Sequence, residues 1–168
     1  MKCIDVTATN RDSLVDSLRE LFADPEVGRI FVIATKVSEE LRDLASVGPR
    51  DRRVLLLMSS DGAISEDVRT ALKALRELYG DKAKFRRWKD VDCNIYIFLK
   101  GKRSRRFEHG AVVVTTAPAL GFGLKRTLDG KEAVYLMARS NSPGVVTAFK
   151  DAFLAIWKSS SLIKLRET

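Results

Sequence analysis

The chain has 168 residues, 45% of them hydrophobic and 31% charged, with a formal net charge of +8 at pH 7. That length suits one domain burying roughly 70% of its unfolded surface, and no apolar run approaches the ~20 residues that cross a bilayer. Met1-Lys2-Cys3-Ile4-Asp5 sets an acid where a secretory leader needs an apolar stretch, so a cytoplasmic protein with no membrane partner is expected.

The first half alternates strand and helix. A short strand over 3–7 precedes Leu14, Val15, Leu18, Leu21 and Phe22, spaced as one helical face, with Asn10 or Asp12 as the cap and Asp24-Pro25 as the stop. Residues 29–34 form a β-branched run that predicts a buried strand. Ser38 caps a second helix to Ala45, ended by Gly48-Pro49, and 53–58 is a second buried strand. Ser65 starts a third helix with Val68, Leu72, Leu75 and Tyr79 on its apolar face, and Gly80 ends it. Strands without alternation, separated by helices, predict parallel pairing with both faces covered.

The second half is mostly strand, over 83–88, 94–100, 111–116 and 133–138, with an apolar segment near 120–124. Ser142-Pro143 opens a final helix with Val145, Phe149, Phe153, Ile156 and Trp157 on one face. The fold class expected is α/β: a mixed, mainly parallel sheet with helices on both faces, in a single domain over 1–160. Residues 161–168 are expected to be a loose tail.

The two cysteines, Cys3 and Cys93, stand apart with no His/Cys cluster around either. A metal site needs three or four ligands, so neither a metal nor a cofactor is expected. Glutamine is absent and asparagine occurs three times. Few thermolabile amides with many charges is a high-temperature composition, which points to a thermophile, an archaeon.

Charge is distributed unevenly. Between Lys82 and Arg106 lie ten basic residues against two acids, Asp90 and Asp92, which is the entire net charge. Such a window attracts phosphate-rich partners. The candidate anion-binding residues are Lys84, Arg86, Arg87, Trp88, Lys100, Lys102, Arg103, Arg105, Arg106 and His109. Phe85, Trp88, Tyr96 and Phe98 interleave with the cations, and exposed aromatics beside cations stack bases. Tyr96 and Phe98 fit core positions better than a platform, and Trp88 is the aromatic expected at the surface. His109, the one histidine, has no acid or nucleophile at a suggestive spacing, so no catalytic residue is assigned.

The segment from Gly121 to Asn141 resembles the phospholipase D superfamily, whose pattern is H-x-K-x-x-x-x-D followed by an apolar strand ending in G-S-x-N. Asp129-Gly130-Lys131 resembles the turn, 133–138 the strand, and Asn141 falls about two residues late for the asparagine. Phe149, Phe153 and Trp157 resemble that family's closing F-x-x-x-F-x-x-x-W helix. Counting back from Asp129, the histidine's place is held by Phe122 and the lysine's by Leu124. Neither can attack phosphorus nor stabilise its charge. The resemblance therefore implies the fold without the activity, as in the degenerate domain of archaeal TrmB-type transcription regulators, which binds effectors or mediates dimerisation.

Three functions are consistent with these readings. The first is a non-catalytic protein that binds DNA or RNA through 82–106, associated with transcription or chromatin. The second is a stand-alone module of a transcription regulator that binds an effector, a small phosphorylated ligand, or pairs as a homodimer. The third is a phosphodiesterase or nuclease with a displaced site at His109.

Overall fold

The computed structural model describes residues 3–37, 39–59, 64–117, 127–163 and 165. Among these residues, ten strands and four α-helices follow one another as β1 (Asp5–Thr9), α1 (Arg11–Ala23), β2 (Val27–Ala34), α2 (Glu39–Ala45), β3 (Arg53–Ser59), α3 (Glu66–Tyr79), β4 (Ala83–Trp88), β5 (Asn94–Lys100), β6 (Gly110–Thr115), β7 (Thr127–Leu128), β8 (Lys131–Glu132), β9 (Tyr135–Ser140), α4 (Pro143–Ser159) and β10 (Ser161–Leu162). Eight strands form one sheet in the order β1-β9-β6-β5-β2-β3-β4-β10, and β7 pairs only with β8.

The sheet is mixed, with helices on both faces. Its parallel part is β2–β3–β4, where α2 and α3 provide the crossovers. The pairs β2–β5, β5–β6, β6–β9, β9–β1 and β4–β10 are antiparallel. The difference follows from the connections. A parallel return needs a crossover of a dozen or more residues, and only 9 residues separate Lys100 from Gly110.

Helices start and stop where local chemistry dictates. The Asn10 side chain accepts the Ser13 N–H at 2.8 Å to cap α1, and Ser65 accepts the Val68 N–H to cap α3. Ser142 occupies the cap of α4 without a side-chain bond, and Pro143 fills its first turn. The expected cap at Ser38 lies outside the described residues.

Alternating side chains on the central strands feed two cores. On one face, Ile30, Val32, Val54, Leu56, Tyr96 and Phe98 meet Leu14, Leu18, Leu41, Leu44, Leu72 and Leu75 of α1, α2 and α3. On the other, Phe31, Ile33, Leu55, Leu57, Ile97 and Leu99 meet Val146, Phe153 and Trp157 of α4. Phe31 stacks on Phe153 with ring centroids 4.8 Å apart.

The start of the tail differs from expectation. Ser161 and Leu162 pair with Arg87 and Arg86 at the β4 edge. The Ile163 N–H donates to the Phe85 carbonyl and its side chain is buried. An apolar residue just past the helix finds both an open strand edge and a core to enter, and these outweigh the entropy of a free end.

Candidate nucleic-acid interface

One end of the sheet gathers most of the cations. There β2, β3 and β4 begin, β5 ends and β6 begins, since Val27 pairs with Lys100 and Leu99 with Gly110. Lys84 is exposed near the start of β4 and Lys100 is exposed at the end of β5. Lys102, Arg103, Arg105, Arg106 and His109 are exposed on the loop joining β5 to β6. The rest of the window does not join them. Lys89 lies past the other end of β4, five residues and therefore ~16 Å from Lys84. Arg87 and Trp88 are beside it, level with Met58 and Ser59 at the end of β3. Arg86, between the two groups, faces α4: its guanidinium sits 5.0 Å from the Trp157 ring centroid and donates to the Trp157 carbonyl at 2.8 Å.

The aromatics separate in the same way. Tyr96 and Phe98 are buried in the core. Trp88 is half-buried against the α4-side cluster, so it is not the surface aromatic that its basic neighbours suggested. That role falls to Phe107, 62% exposed among the loop arginines.

The loop is held from beneath by a buried charge network. Glu108 is fully buried and accepts from Arg29 through both oxygens, at 2.6 and 2.9 Å. Arg29, on β2 and also buried, donates to the carbonyls of Lys100 and Gly101, each at 3.0 Å. The buried Lys150 ammonium of α4 lies 3.4 Å from Glu108 and donates to the Arg105 carbonyl at 3.1 Å and to Ser104 Oγ at 3.4 Å. The Glu108 N–H donates to Thr147 Oγ1 at 2.9 Å. Burial is the largest influence on the Glu108 carboxyl and would raise its pKa. The hydrogen bonds and charge of Arg29, the Arg105 backbone N–H and Lys150 together outweigh it, so the pKa lies below its ordinary value.

A close backbone approach completes the anchor. A Cβ on Gly28 would lie 2.5 Å from the Gly101 carbonyl oxygen and 3.0 Å from the Lys102 nitrogen. Gly101 itself has φ +78°, a left-handed conformation that favours glycine. Its N–H donates to the Glu26 carbonyl at 2.9 Å.

Beside the loop is a cleft of about 350 Å³ lined by Gly28, Arg52, Arg53, Lys82, Lys84 and Lys102 with Asp51 and Asp81. Asp51 carries both the Lys82 and the Lys102 ammonium, and Lys100 pairs with Glu26 at 3.1 Å. The cations here are therefore not equivalent. Three are partly neutralised by carboxylates. Lys84, Arg103, Arg105 and Arg106 have no carboxylate partner among the described residues, and Arg106 lies 5.7 Å from the Phe107 ring centroid.

Sequence reasoning missed Arg29, Arg53, Asp51, Phe107, Glu108 and Lys150. Lys150 had a legible signal: the buried face of α4 is Val146, Lys150, Phe153 and Trp157, so a lysine stands at a core position of a helical repeat. Arg29 is similarly the one charged residue in a strand of eight buried residues. A charge at such a place needs a buried partner.

Of the motif-like positions, Asp129 and Asn141 are described, and they lie toward opposite ends of β9. Phe122 and Leu124 lie outside the described residues. Asp129 is exposed in the β7–β8 turn at φ +52°. That hairpin is tied to Asn10 through Glu132 at 2.8 Å, and Asn10 directly follows Thr9, the partner of Tyr135. Asn141 is exposed beyond Ser140, at the opposite end of β9. His109 is exposed with no carboxylate partner among the described residues, and its carbonyl accepts the Lys100 N–H at 2.8 Å.

No protein-family model matches this sequence, and no curated protein matches it. Solved structures do. Nuc from Salmonella typhimurium, a phospholipase D family member, superposes with a TM-score of 0.68 at 10% identity, covering 96% of this chain and 97% of that one. NucT from Helicobacter pylori gives 0.66 at 8%, covering 95% and 99%. TrmBL2, an archaeal chromatin protein described as showing a novel mode of DNA binding, gives 0.59 at 12%, covering 96% of this chain and 54% of that one. At these identities the likeness is one of fold.

Proposed function

From a phospholipase D-like fold with cations collected at one end of its sheet, we propose that this chain is a non-catalytic nucleic-acid-binding protein. The observation that carries the reading is the loop over 101–109. Arg103, Arg105 and Arg106 stand within four residues with no carboxylate partner among the described residues, on a backbone fixed by a buried ion network. Like charges held together repel; a polyanion relieves that repulsion and releases its counterions in exchange. Lys84 and the cleft lysines extend the same surface. DNA binding by TrmBL2, which shares the fold, supports this reading.

Catalysis of the phospholipase D type is not assigned, because Phe122 and Leu124 supply neither nucleophile nor charge stabilisation. In this reading the chain belongs to the degenerate branch of the fold. The test is binding to generic DNA and RNA oligonucleotides at two salt concentrations. Three phosphate contacts change affinity by roughly 20–40-fold between 50 and 200 mM salt. Replacing Arg103, Arg105 and Arg106 with alanine should remove that share of the salt dependence. Equal binding by parent and triple variant at low salt defeats the assignment.

A second reading, a pairing module, has its own observation. Val6 and Leu136, paired with Ala138 and Ala8, share one face of β1–β9 and are 66% and 53% exposed. That face is on the α4 side, because Val114 pairs with Ala138 and packs against the α4-side cluster. Among the described residues, α1, α2 and α3 cover one face of the sheet and α4 alone covers the other. Ala148, Ala152 and Ala155 are exposed on α4, a helix face with small side chains. We infer that a second copy occupies this face, each α4 lying on the partner's β1–β9 shelf. Both complementary surfaces are on one chain, as a two-fold interface requires. Sedimentation should show a dimer that Val6→Asp with Leu136→Asp converts to a folded monomer. A parent that is monomeric at high concentration overturns this reading.

A further inference from the structure

Resting on the nucleic-acid reading above, we propose that Phe107 is a stacking platform for an unpaired base, so that the loop takes single-stranded nucleic acid in preference to duplex. Phe22, Phe31, Phe85, Phe98 and Phe153 are all buried, and Phe149 is half-buried. Phe107 alone among the described phenylalanines is exposed, and leaving such a side chain in water forgoes the stabilisation that burying it would bring. The exposure does not come from slack in the loop. The next residue, Glu108, is fully buried on Arg29 and Lys150, and two residues earlier the Arg105 carbonyl accepts from Lys150. The backbone is thus clamped on both sides of the residue, which fixes where its side chain leaves the loop.

The surroundings suit a nucleotide. Arg106 engages the ring, no second ring contact is present among the described residues, and Arg103 and Arg105 are free to meet the flanking phosphates. A ring stacks on any base because every base has a π-face. In a duplex those faces are already stacked on their neighbours, and only base edges and phosphates are presented. One ring on a loop therefore gains from a base only where the strand is unpaired. A membrane surface is the weaker match: residues 102–106 are all polar or charged, and one inserted ring falls short of the apolar area that anchors a protein in lipid.

The experiment uses the full chain and four probes: an oligothymidylate, an abasic oligonucleotide with the same number of phosphates, a duplex of the same length, and phosphatidylserine vesicles. The parent should bind oligothymidylate more tightly than the abasic strand, by roughly 5- to 150-fold for one stacked base. Phe107→Ala should erase that difference and leave the salt slope unchanged, while Phe107→Trp should keep it. Equal affinity for thymidylate and abasic strands overturns the proposal, as does a preference for duplex or a difference that survives Phe107→Ala. In each of those outcomes salt-dependent binding still upholds the nucleic-acid reading. Binding to vesicles alone, lost in Phe107→Ala, overturns both.

Discussion

Glu108 and Arg29, 79 positions apart in the chain, form a buried bidentate ion pair at 2.6 and 2.9 Å. The pair fixes a surface loop to a central strand, and Lys150 extends the connection to α4. It joins a site of concentrated charge to the interior of the sheet.

Glu108→Gln leaves the buried Arg29 charge without its carboxylate, and leaves Lys150 only the exposed Asp151 at 3.6 Å. Breaking a buried pair from one side costs about 3–5 kcal/mol. Urea denaturation should show a loss of that size. A variant carrying Arg29→Met, Glu108→Leu and Lys150→Met together should lose less than Glu108→Gln alone, since no buried charge remains.

The same carboxyl sets an acid limit. Its pKa in the folded protein is below the ordinary value of 4.5, so between the two values the unfolded chain binds the extra proton. Its contribution is present in full above pH ~4.5 and is lost as pH falls through the folded value. The stability gap between parent and Glu108→Gln should therefore narrow on acidification below 4.5. A constant gap across that range would exclude this coupling.

Gly28→Ala puts a methyl group against backbone atoms of Gly101 and Lys102, which cannot rotate away. The turn must shift, at a cost of roughly 1–3 kcal/mol. Hydrogen exchange should report faster opening of the Gly101 amide, while the amides of α3, on the other face of the sheet, keep their protection relative to global unfolding.

Asp51→Asn removes the carboxylate that Lys82 and Lys102 share. All three side chains are more than half exposed, so stability should change by less than about 1 kcal/mol. Affinity for a polyanion should rise several-fold at low salt, because one repulsive charge goes and two lysines are released. A fall in affinity would place Asp51 among the groups that bind.

Ile163→Ala should destabilise by about 2–4 kcal/mol, as loss of a buried aliphatic side chain does. No measurable effect would restore the view of 161–168 as a loose tail.

The elements were legible because they rest on local signals. The spans 83–88 and 94–100 come out as expected, and Asn10, Ser65 and Pro143 mark helix starts in the residues themselves. Two-residue alternation along 94–100 puts Tyr96 and Phe98 on one face and Ile97 and Leu99 on the other, which is how they divide between the two cores. The site was legible only as a charge total. A strand carries its residues from one end of the sheet to the other, so proximity in sequence put Lys84 and Lys89 in one window that the fold divides. Trp88 was misplaced because its basic neighbours said nothing about the apolar cluster contributed by α4. Glu108 and Arg29 were invisible as a pair, since nothing local relates two positions on different elements.

Lys150 shares one turn of α4 with Ala148 and Ala152, and so has a consequence for assembly. The helix that would meet a second copy also supplies the ammonium that steadies the arginine loop. Any coupling between the two sides of that turn is reciprocal by thermodynamic necessity. If self-association sharpens the grip on an oligonucleotide, the oligonucleotide must strengthen self-association by the same factor. Sedimentation with and without oligothymidylate would measure that factor, and a value of one would show the two surfaces working independently.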